Sequence, residues 1–397
     1  MLAKKYKEML TKKSVIRELS EFATARGKEI GYENVFDYSL GNPSIPVPQE
    51  FTDYVIKLLK EENPLKLHGY SPSLGIPEVK DKIAASLNRR FGMNYRGGHI
   101  FMTSGAAGAI AHAVRTVAEP GDEVLTFAPY FPEYIPYINH SGAVLKTVPP
   151  QVEDFQINFE EFEKMLNKNV AAVLINTPNN PSGVTYSEET LKKLAEILEK
   201  KSAEFGHIIY LISDEPYREI TFDGIACPYP AKYYKYTLTC YSFSKSLSLP
   251  GERIGYVAVH PECPDAETMV VMMGQISRGI GHNCPASLFQ LAVAEKADLT
   301  ADLSVYETNM NILYDAFIEL GFTCVRPNGT FYIFPKALED DSIAFCKKAL
   351  KYDLILVPAD SFGCPGYFRM AYCIDTEKVK RSIVALKKFV ETEYPNR

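Results

Sequence analysis

The chain has 397 residues, of which 46% are hydrophobic and 23% are charged. That length exceeds one ordinary domain of about 100 to 200 residues, and the composition excludes collagen-like and low-complexity chains. The formal net charge is −6, so Lys and Arg are not in the excess that neutralising a phosphate backbone requires. Small molecules rather than nucleic acids are therefore the expected partners.

The cysteine pattern and the N-terminal residues indicate the cellular compartment of the protein. All eight cysteines lie in the second half of the chain and none belongs to a Cys-x-x-Cys pair, so no metal site or redox motif is predicted. Residues 1–13 are rich in lysine and lack the apolar stretch of a secretory signal. No apolar run approaches the roughly 18 residues that cross a bilayer. These features predict a cytoplasmic protein with reduced thiols and no membrane segment.

The predicted elements begin with charged residues at helical spacing up to residue 30, and a proline-rich turn at 41–48 then prevents a helix from continuing. Between residues 100 and 260, short apolar strands alternate with amphipathic stretches, two of which, 187–199 and 264–278, have the length and period of helices. This alternation is typical of an α/β domain with a largely parallel sheet flanked by helices. The strands are predicted at 123–127, 143–148, 171–176, 208–213, 237–243 and 254–260.

Beyond residue 300 the order of the elements changes. Helices are predicted at 302–320, 342–350 and from residue 376, and strands at 322–326, 330–334, 354–357 and 367–373. This order indicates a second, smaller α+β domain, which the N-terminal segment joins. We therefore predict a large domain at 46–300 and a small domain made of 1–45 and 301–397.

Polar residues that directly follow strands are the first candidates for a site, because ligands of parallel α/β sheets bind at the carboxyl ends of the strands. Lys245 follows the strand at 237–243, with Ser242 and Ser244 before it and Arg253 a little further on. A lysine between hydroxyl groups and near an arginine suits Schiff-base chemistry with a phosphate-bearing cofactor. Burial and Arg253 are expected to lower the pKa of this amine well below its usual value of about 10.4. A solvated surface lysine is the alternative.

A loop of small residues at 104–108 opens the helix-like stretch 106–118. Gly105, Ala106 and Ala107 leave room for an anion to approach the N–H groups at the positive end of a helix. The loop predicts a phosphate site without a lysine, although a tight helix start would have the same residues. The sequence contains neither a Walker-type loop nor a complete Gly-x-Gly-x-x-Gly motif.

Two more polar residues follow predicted strands. Asp214 ends the strand at 208–213, where a buried carboxylate needs a cationic partner such as a protonated pyridine nitrogen, and Tyr217 stands shortly after it. Asn180 follows the strand at 171–176 and precedes a proline, which holds it extended with its amide free to donate to a ring oxygen. A capping aspartate with a packed tyrosine, and a plain Asn-Pro turn, are the alternatives.

Together these motifs resemble the class I/II aminotransferases, which are pyridoxal-phosphate enzymes of fold type I, the aspartate aminotransferase superfamily. The resemblance extends from about residue 36 to residue 373, and Ser-x-Ser-Lys followed by Pro-Gly-x-Arg-x-Gly is its most specific part. It implies that Lys245 carries the cofactor and moves the α-proton, that Asp214 pairs with the pyridine nitrogen, and that Asn180 and Tyr217 hold the ring oxygen. It places the cofactor phosphate on Gly105, Ala106, Ala107, Ser242, Ser244 and Arg253.

The aromatic residue that stacks on the cofactor ring would be Phe131. Many aspartate-specific members have tryptophan at that position, and this chain contains no tryptophan. Phe131 is therefore a departure from the pattern of those members.

The same resemblance implies the substrate contacts. Gly41 and Asn180 would line the substrate site, and Arg369 would bind the α-carboxylate with its planar guanidinium. Tyr70 is similar to a tyrosine that reaches the cofactor phosphate of the neighbouring subunit, which implies a homodimer. Arg278 is similar in placement to an arginine that aspartate-specific members lend to the partner's distal site, and it fits equally well a cation in the last turn of a helix.

The resemblance implies an enzyme that moves an amino group between an L-amino acid and a 2-oxo acid. Aspartate or glutamate is the first expected donor, and an aromatic amino acid is the second. A C–S β-lyase or related elimination enzyme stays open, because it would share the cofactor motifs. The effector-sensing part of a transcription regulator is disfavoured, because too few residues precede the first motif to form a DNA-binding domain.

Overall fold

The structure is a computed structural model that describes residue 7 and residues 14–395. The other N-terminal residues, on which the expectation of no secretory signal rests, lie outside the described residues. The α-helices are α1 (Val15–Ile30), α2 (Gln49–Glu61), α3 (Pro64–His68), α4 (Pro77–Phe91), α5 (Gly105–Val117), α6 (Tyr134–Asn139), α7 (Phe159–Met165), α8 (Glu188–Phe205), α9 (Phe243–Ser246), α10 (Ala266–Gly279), α11 (Ser287–Glu295), α12 (Ser304–Glu319), α13 (Ser342–Ala349) and α14 (Thr376–Glu393). The strands are β1 (Phe36–Asp37), β2 (Ile100–Thr103), β3 (Glu123–Phe127), β4 (Val144–Val148), β5 (Val170–Asn176), β6 (Tyr210–Asp214), β7 (Thr237–Ser242), β8 (Gly255–Val259), β9 (Tyr332–Ile333), β10 (Leu354–Ile355), β11 (Val357–Pro358) and β12 (Phe368–Ala371).

Within residues 14–395, a seven-stranded sheet in the order β2-β8-β7-β6-β5-β3-β4 lies at the centre of the fold. Strand β8 runs antiparallel to both of its neighbours, and the remaining neighbours pair in parallel. Strand β5 is buried along its whole length, as expected for a parallel strand that is covered on both faces. The predicted α/β class with a mostly parallel sheet is confirmed.

Helices cover both faces of this sheet, and successive residues of β5 point to opposite faces. Ala172 and Leu174 pack with α5 and α10 on one face. Val173 and Ile175 pack with α7 and α8 on the other face. The two apolar layers hold the carboxyl ends of the strands in fixed positions.

The C-terminal part has a small antiparallel sheet, β11-β12-β9, against which α12, α13 and α14 pack. Strand β1 pairs in parallel with β10, and the Nε of Arg26 in α1 lies 2.7 Å from the Oδ1 of Asp353. These contacts attach the N-terminal segment to the C-terminal part. The grouping of 1–45 with 301–397 and the bounds of the two domains stay a prediction.

The six strands predicted for the large sheet are confirmed to within two residues at each end, whereas β2 is missing from the prediction. The strand predicted at 322–326 is wrong. Residues 322–326 belong to no sheet, and just beyond them the N–H groups of Asn328 and Gly329 donate to the Gly183 carbonyl at 3.1 and 3.0 Å. The stretch 354–357 is divided between β10 and β11, because β10 pairs with β1 and β11 pairs with β12.

Three neighbouring strands end together at the carboxyl edge of the large sheet. Strand β5 ends at Asn176, β6 at Asp214 and β7 at Ser242, and Asn176 is in register with Asp214. This edge is where ligands of parallel sheets bind.

All eight cysteines are free thiols. The described residues contain no cluster of three or more His, Cys, Asp or Glu side chains that could hold a metal ion. No helix in the described part of the chain has the length and apolar character needed to span a membrane.

Candidate active site

A cavity of about 350 Å³ opens at the carboxyl edge of the large sheet and extends to α1 and β12. The structure brings together here twelve of the predicted site residues: Gly41, Ala106, Ala107, Phe131, Asn180, Asp214, Tyr217, Ser242, Ser244, Lys245, Arg253 and Arg369. Their roles stay predictions, but the site they would form exists as one cavity.

Lys245 lies on the short helix α9, which follows strand β7 without a loop. The hydroxyl of Ser242, the last residue of β7, caps this helix by accepting a hydrogen bond from the Ser244 N–H at 3.2 Å. The Nζ of Lys245 donates to the carbonyl of Gly41 at 2.6 Å. Lys245 thus contacts the N-terminal segment across the cavity.

The surroundings of Lys245 favour its neutral amine. Burial is the main cause that lowers the pKa of Lys245 to about 8, with Arg253 and Arg369 acting in the same direction and Cys373 opposing them. The sequence prediction that burial and Arg253 lower this pKa is confirmed. A fraction of the amine is therefore neutral, and so nucleophilic and basic, near neutral pH.

Asp214 is the last residue of β6 and is buried. Its Oδ2 accepts a hydrogen bond from the Tyr134 hydroxyl at 2.6 Å, whereas its Oδ1 is buried without a partner. Burial raises the pKa of Asp214 to about 7, the Tyr134 bond acts in the opposite direction, and Glu215 adds to the rise. A cation placed against Oδ1 would complete this arrangement.

The helix α5 begins at the cavity, where Ala106 and Ala107 line the wall. Gly105 has a φ of +80°, and a Cβ on it would lie 2.9 Å from the Nη2 of Arg253. That nitrogen donates to the Ser104 carbonyl at 3.2 Å, so the guanidinium lies beside the start of the helix. The N–H groups of a helix N-terminus and a guanidinium at one place favour an anion.

Two hydroxyl groups and one more glycine complete this anion site. The hydroxyls of Ser242 and Ser244 lie 2.6 Å apart at the end of β7. A Cβ on Gly255 of β8 would collide with the Tyr241 carbonyl and would lie 3.0 Å from the Cα of Gly105. Gly255 therefore allows α5 to start close to the sheet, where its N–H groups and the two serines face the same cavity.

Arg369 of β12 is 2% exposed. Its Nη1 donates to Asn180 Oδ1 at 3.2 Å, its Nη2 donates to the Ser39 carbonyl, and its Nε is buried without a partner. The rings of Tyr332 and Phe362 lie 4.8 and 5.1 Å from the guanidinium carbon. A buried guanidinium that is held by two rings and has an open N–H is suited to bind a carboxylate.

The groups predicted to hold a ring oxygen lie near Arg369. The Tyr217 hydroxyl is 3.0 Å from the Tyr332 hydroxyl. The Asn180 N–H donates to Asn176 Oδ1 at 2.6 Å, and because the side-chain oxygen of Asn180 accepts from Arg369, its amide N–H₂ is the group left to donate.

Three predicted site residues do not line the cavity. Gly105 lies behind Ala106, where it acts through the close approach to Arg253. Tyr70 is fully exposed, at 107% of its reference area. Arg278 is also exposed and lies 3.5 Å from the Oε1 of Gln275 in the last turn of α10. The hypothesis that Tyr70 and Arg278 act on a neighbouring subunit stays a prediction.

The sequence analysis misses several residues that line or support the cavity. Tyr134 stands three residues after Phe131, and Tyr332 lies in the strand predicted at 330–334, so both could have been found as polar aromatic residues next to predicted site elements. Arg17 and Glu133 also line the cavity. Nothing local in the sequence places Arg17 there, because its position depends on how α1 packs against residues more than three hundred positions away.

Comparisons with known proteins agree with this fold. The crystal structure of an amino transferase from Eubacterium rectale superposes with a TM-score of 0.95 and 45% sequence identity, covering 99% of each chain. The aspartate aminotransferase of Thermotoga maritima superposes with a TM-score of 0.87 and 26% identity, covering 98% of this chain and 100% of the other. A probable aspartate/prephenate aminotransferase of Aquifex aeolicus is 29% identical over 392 residues, which cover 93% of this chain and 94% of that protein.

The fold is that of an enzyme that transfers amino groups. This chain belongs to the family of class I and II aminotransferases, which it matches over residues 34–386. The family uses pyridoxal phosphate and acts on amino acids and 2-oxo acids.

The residues of the cavity fit pyridoxal phosphate. The start of α5, the two serines and Arg253 form an anion site for its phosphate. The open Oδ1 of Asp214 is a buried acceptor without a donor, as a protonated ring nitrogen requires. Lys245 supplies a partly neutral amine in the same cavity.

The lowered pKa of Lys245 predicts that this amine reacts with acetic anhydride at lower pH than an exposed lysine, because only the neutral amine is a nucleophile. In cofactor-free protein, the acetylation rate measured by peptide mass spectrometry is expected to be half-maximal near pH 8 at Lys245. Lys164 is the control, because Glu160 and Glu161 raise its pKa, so its reaction should need higher pH. Identical pH profiles for the two lysines would contradict the prediction.

Replacing Gly105 with alanine is expected to weaken binding of the cofactor phosphate by about tenfold or more, because the new Cβ would displace the Arg253 guanidinium. Affinities of the cofactor-free protein for pyridoxal phosphate and for pyridoxal measure this loss, which should appear only with the phosphate. Gly206→Ala is the matched control: Gly206 has a φ of +79° and nothing within 4 Å of its Cβ position. It should share the backbone strain and keep the affinity, and similar affinities for both variants would argue against the anion site.

Proposed function

We propose that this chain is a pyridoxal-phosphate-dependent aminotransferase that uses Lys245 to carry the cofactor and to move the substrate proton. The single observation that carries the proposal is that one cavity holds the Lys245 amine, the open oxygen of Asp214 and the open Nε of Arg369. In this proposal, the amine reacts with the cofactor aldehyde, the oxygen of Asp214 pairs with the ring nitrogen, and the Nε of Arg369 binds the substrate carboxylate. Family membership supports the same activity.

Each residue has a distinct task in this proposal. Bound pyridoxal phosphate supplies an aldehyde and an electron-withdrawing ring. Arg369 binds the α-carboxylate of the substrate with a charge-assisted hydrogen bond and so fixes the direction of its Cα–H bond. Lys245, whose pKa is about 8, takes a proton from one carbon atom and returns it to another. Asp214 keeps a positive charge at the far side of the cavity, and Tyr217 with Asn180 donates hydrogen bonds to the ring oxygen.

Aspartate or glutamate is the proposed amino donor, with an aromatic amino acid as the second choice. Arg17, on the first turn of α1, lines the cavity, and its side chain forms no hydrogen bond or ion pair with another described residue. Its guanidinium is therefore available for a second carboxylate. Glu133 lines the same cavity. Its negative charge would repel the side-chain carboxylate of the substrate unless an arginine bound that carboxylate. The similarity to the Thermotoga maritima aspartate aminotransferase and to the Aquifex aeolicus probable aspartate/prephenate aminotransferase supports this choice.

A homodimer is part of the proposal. Tyr70 and Leu65, at 107% and 84% exposure, are large side chains that a monomer leaves in water, and such groups are typical of interfaces. In a dimer, Tyr70 would reach the phosphate in the neighbouring subunit. Arg278 would be the partner's contribution to the distal end of the same site.

Replacing Lys245 with alanine tests the proposal directly. Amino transfer from aspartate to 2-oxoglutarate is expected to fall by at least about 10²-fold, because the group that moves the proton is gone. Borohydride treatment of the loaded protein should label Lys245 in the wild type and no residue in the variant. Lys164→Ala, at an exposed position, is the control that should behave as the wild type.

Retained turnover by Lys245→Ala, or label at another residue, would contradict the assignment. Product formation from the wild type without any 2-oxo acid acceptor would instead point to elimination.

The two candidate arginines can be separated by donor. Arg17→Leu is expected to lower kcat/KM for aspartate and glutamate by about 10- to 100-fold, because a hydrogen-bonded charge pair is lost, and to change phenylalanine turnover little. The same selective loss in Arg278→Leu would place the distal carboxylate on the partner's arginine. An equal loss for all three donors in both variants would exclude a distal carboxylate site at either arginine.

A further inference from the structure

The contact between Tyr134 and Asp214 has no part in the tasks described so far. Tyr134 is 1% exposed and begins helix α6. Its hydroxyl donates to the Oδ2 of Asp214 at 2.6 Å, and its ring packs edge-on against Phe131 with 5.8 Å between the ring centroids. One side chain thus contacts both the aspartate and the aromatic residue that lines the cavity.

This hydrogen bond determines which oxygen of the carboxylate is free. Among the described residues, the Tyr134 hydroxyl is the only side-chain donor bonded to the carboxylate of Asp214, and Oδ1 has no partner. The backbone carbonyl of Asp214 accepts separately, from the Asn176 side chain at 2.9 Å and the Thr177 N–H at 3.4 Å. The backbone is therefore fixed by the neighbouring strand, whereas the carboxylate plane is fixed by Tyr134.

The other ionisable groups around Asp214 cannot take over this task. Glu215 is acidic and raises the pKa of Asp214. Burial raises the pKa of Tyr137, Tyr217 and Cys240, so these groups are neutral, and no hydrogen bond joins any of them to the carboxylate within the described residues. Tyr134 is the group that favours the ionised form of Asp214.

We propose that Tyr134 is a positioning residue: its hydroxyl holds Asp214 ionised and rotated so that Oδ1 receives the protonated ring nitrogen of the cofactor. The inference rests on the proposed function, because it requires that pyridoxal phosphate binds in this cavity. Without the hydroxyl, the proton shared between the ring nitrogen and Asp214 lies more on the carboxylate. The ring then loses positive charge and withdraws electrons less strongly.

The test compares two cofactors in the cofactor-free protein: pyridoxal phosphate and its deaza analogue, in which a C–H group replaces the ring nitrogen. Tyr134→Phe is expected to weaken binding of pyridoxal phosphate by about 10- to 100-fold, the usual effect of losing a hydrogen bond to a charged group. Binding of the analogue should change by less than about threefold, because the analogue has no nitrogen for Asp214 to pair with. A purely structural role of Tyr134 would weaken both cofactors alike.

Tyr137→Phe is the matched control, since Tyr137 lies on the same helix and lines the cavity but forms no hydrogen bond with Asp214. Tyr137→Phe is expected to change the affinities for pyridoxal phosphate and for the deaza analogue by the same factor. Equal weakening of the two cofactors by Tyr134→Phe, or no weakening, would overturn the proposal for Tyr134. Failure of the wild type to bind pyridoxal phosphate would instead overturn the proposed function.

Discussion

The unpaired oxygen of Asp214 is the constraint on which the site depends. The carboxylate stands at the end of a buried strand, and an unpaired charge in such a place costs several kcal/mol. The pKa of this carboxyl is raised from 3.8 to about 7 in the folded chain. Its contribution to the stability of the cofactor-free fold is therefore fully present below pH 3.8 and is lost as the pH rises from there through about 7. A cation against Oδ1 removes the penalty, so the free energy that disfavours the empty cavity becomes free energy for binding.

The groups that surround this carboxylate come from two parts of the chain. The strands of the large sheet and the helices α5 and α9 that follow them supply Asp214, Ala106 and Lys245. Strand β12 supplies Arg369, and the N-terminal segment supplies Gly41. The hydrogen bonds that join these parts at the cavity include those from Lys245 Nζ to the Gly41 carbonyl and from Arg369 to Asn180, and the one between the Tyr217 and Tyr332 hydroxyls. The cofactor end of the cavity is therefore formed by the large-sheet part alone. The substrate end is formed where this part meets the N-terminal segment and β12.

The sequence predicts the position of a site residue when the residues next to it in the chain show which element it follows. Lys245, Asp214 and Asn180 follow buried apolar strands, and the carboxyl ends of parallel strands share one edge, so their meeting follows from the strand pattern alone. Arg17 carries no such signal, because its place depends on the packing of α1 against the C-terminal part. The wrong strand at 322–326 has the same origin: its alternating apolar residues fit a sheet, but the backbone next to it is bonded to the Gly183 loop.

Arg369 lies on the small antiparallel sheet, whereas Lys245 lies on helix α9, directly after a strand of the large sheet. In the proposed function, a substrate that contacts both side chains would connect the two sheets. Any hinge or shear motion of one sheet relative to the other must then stretch or break the contacts to that substrate. In the proposed function, an occupied site would therefore resist relative movement of the two sheets, and release of product would restore it.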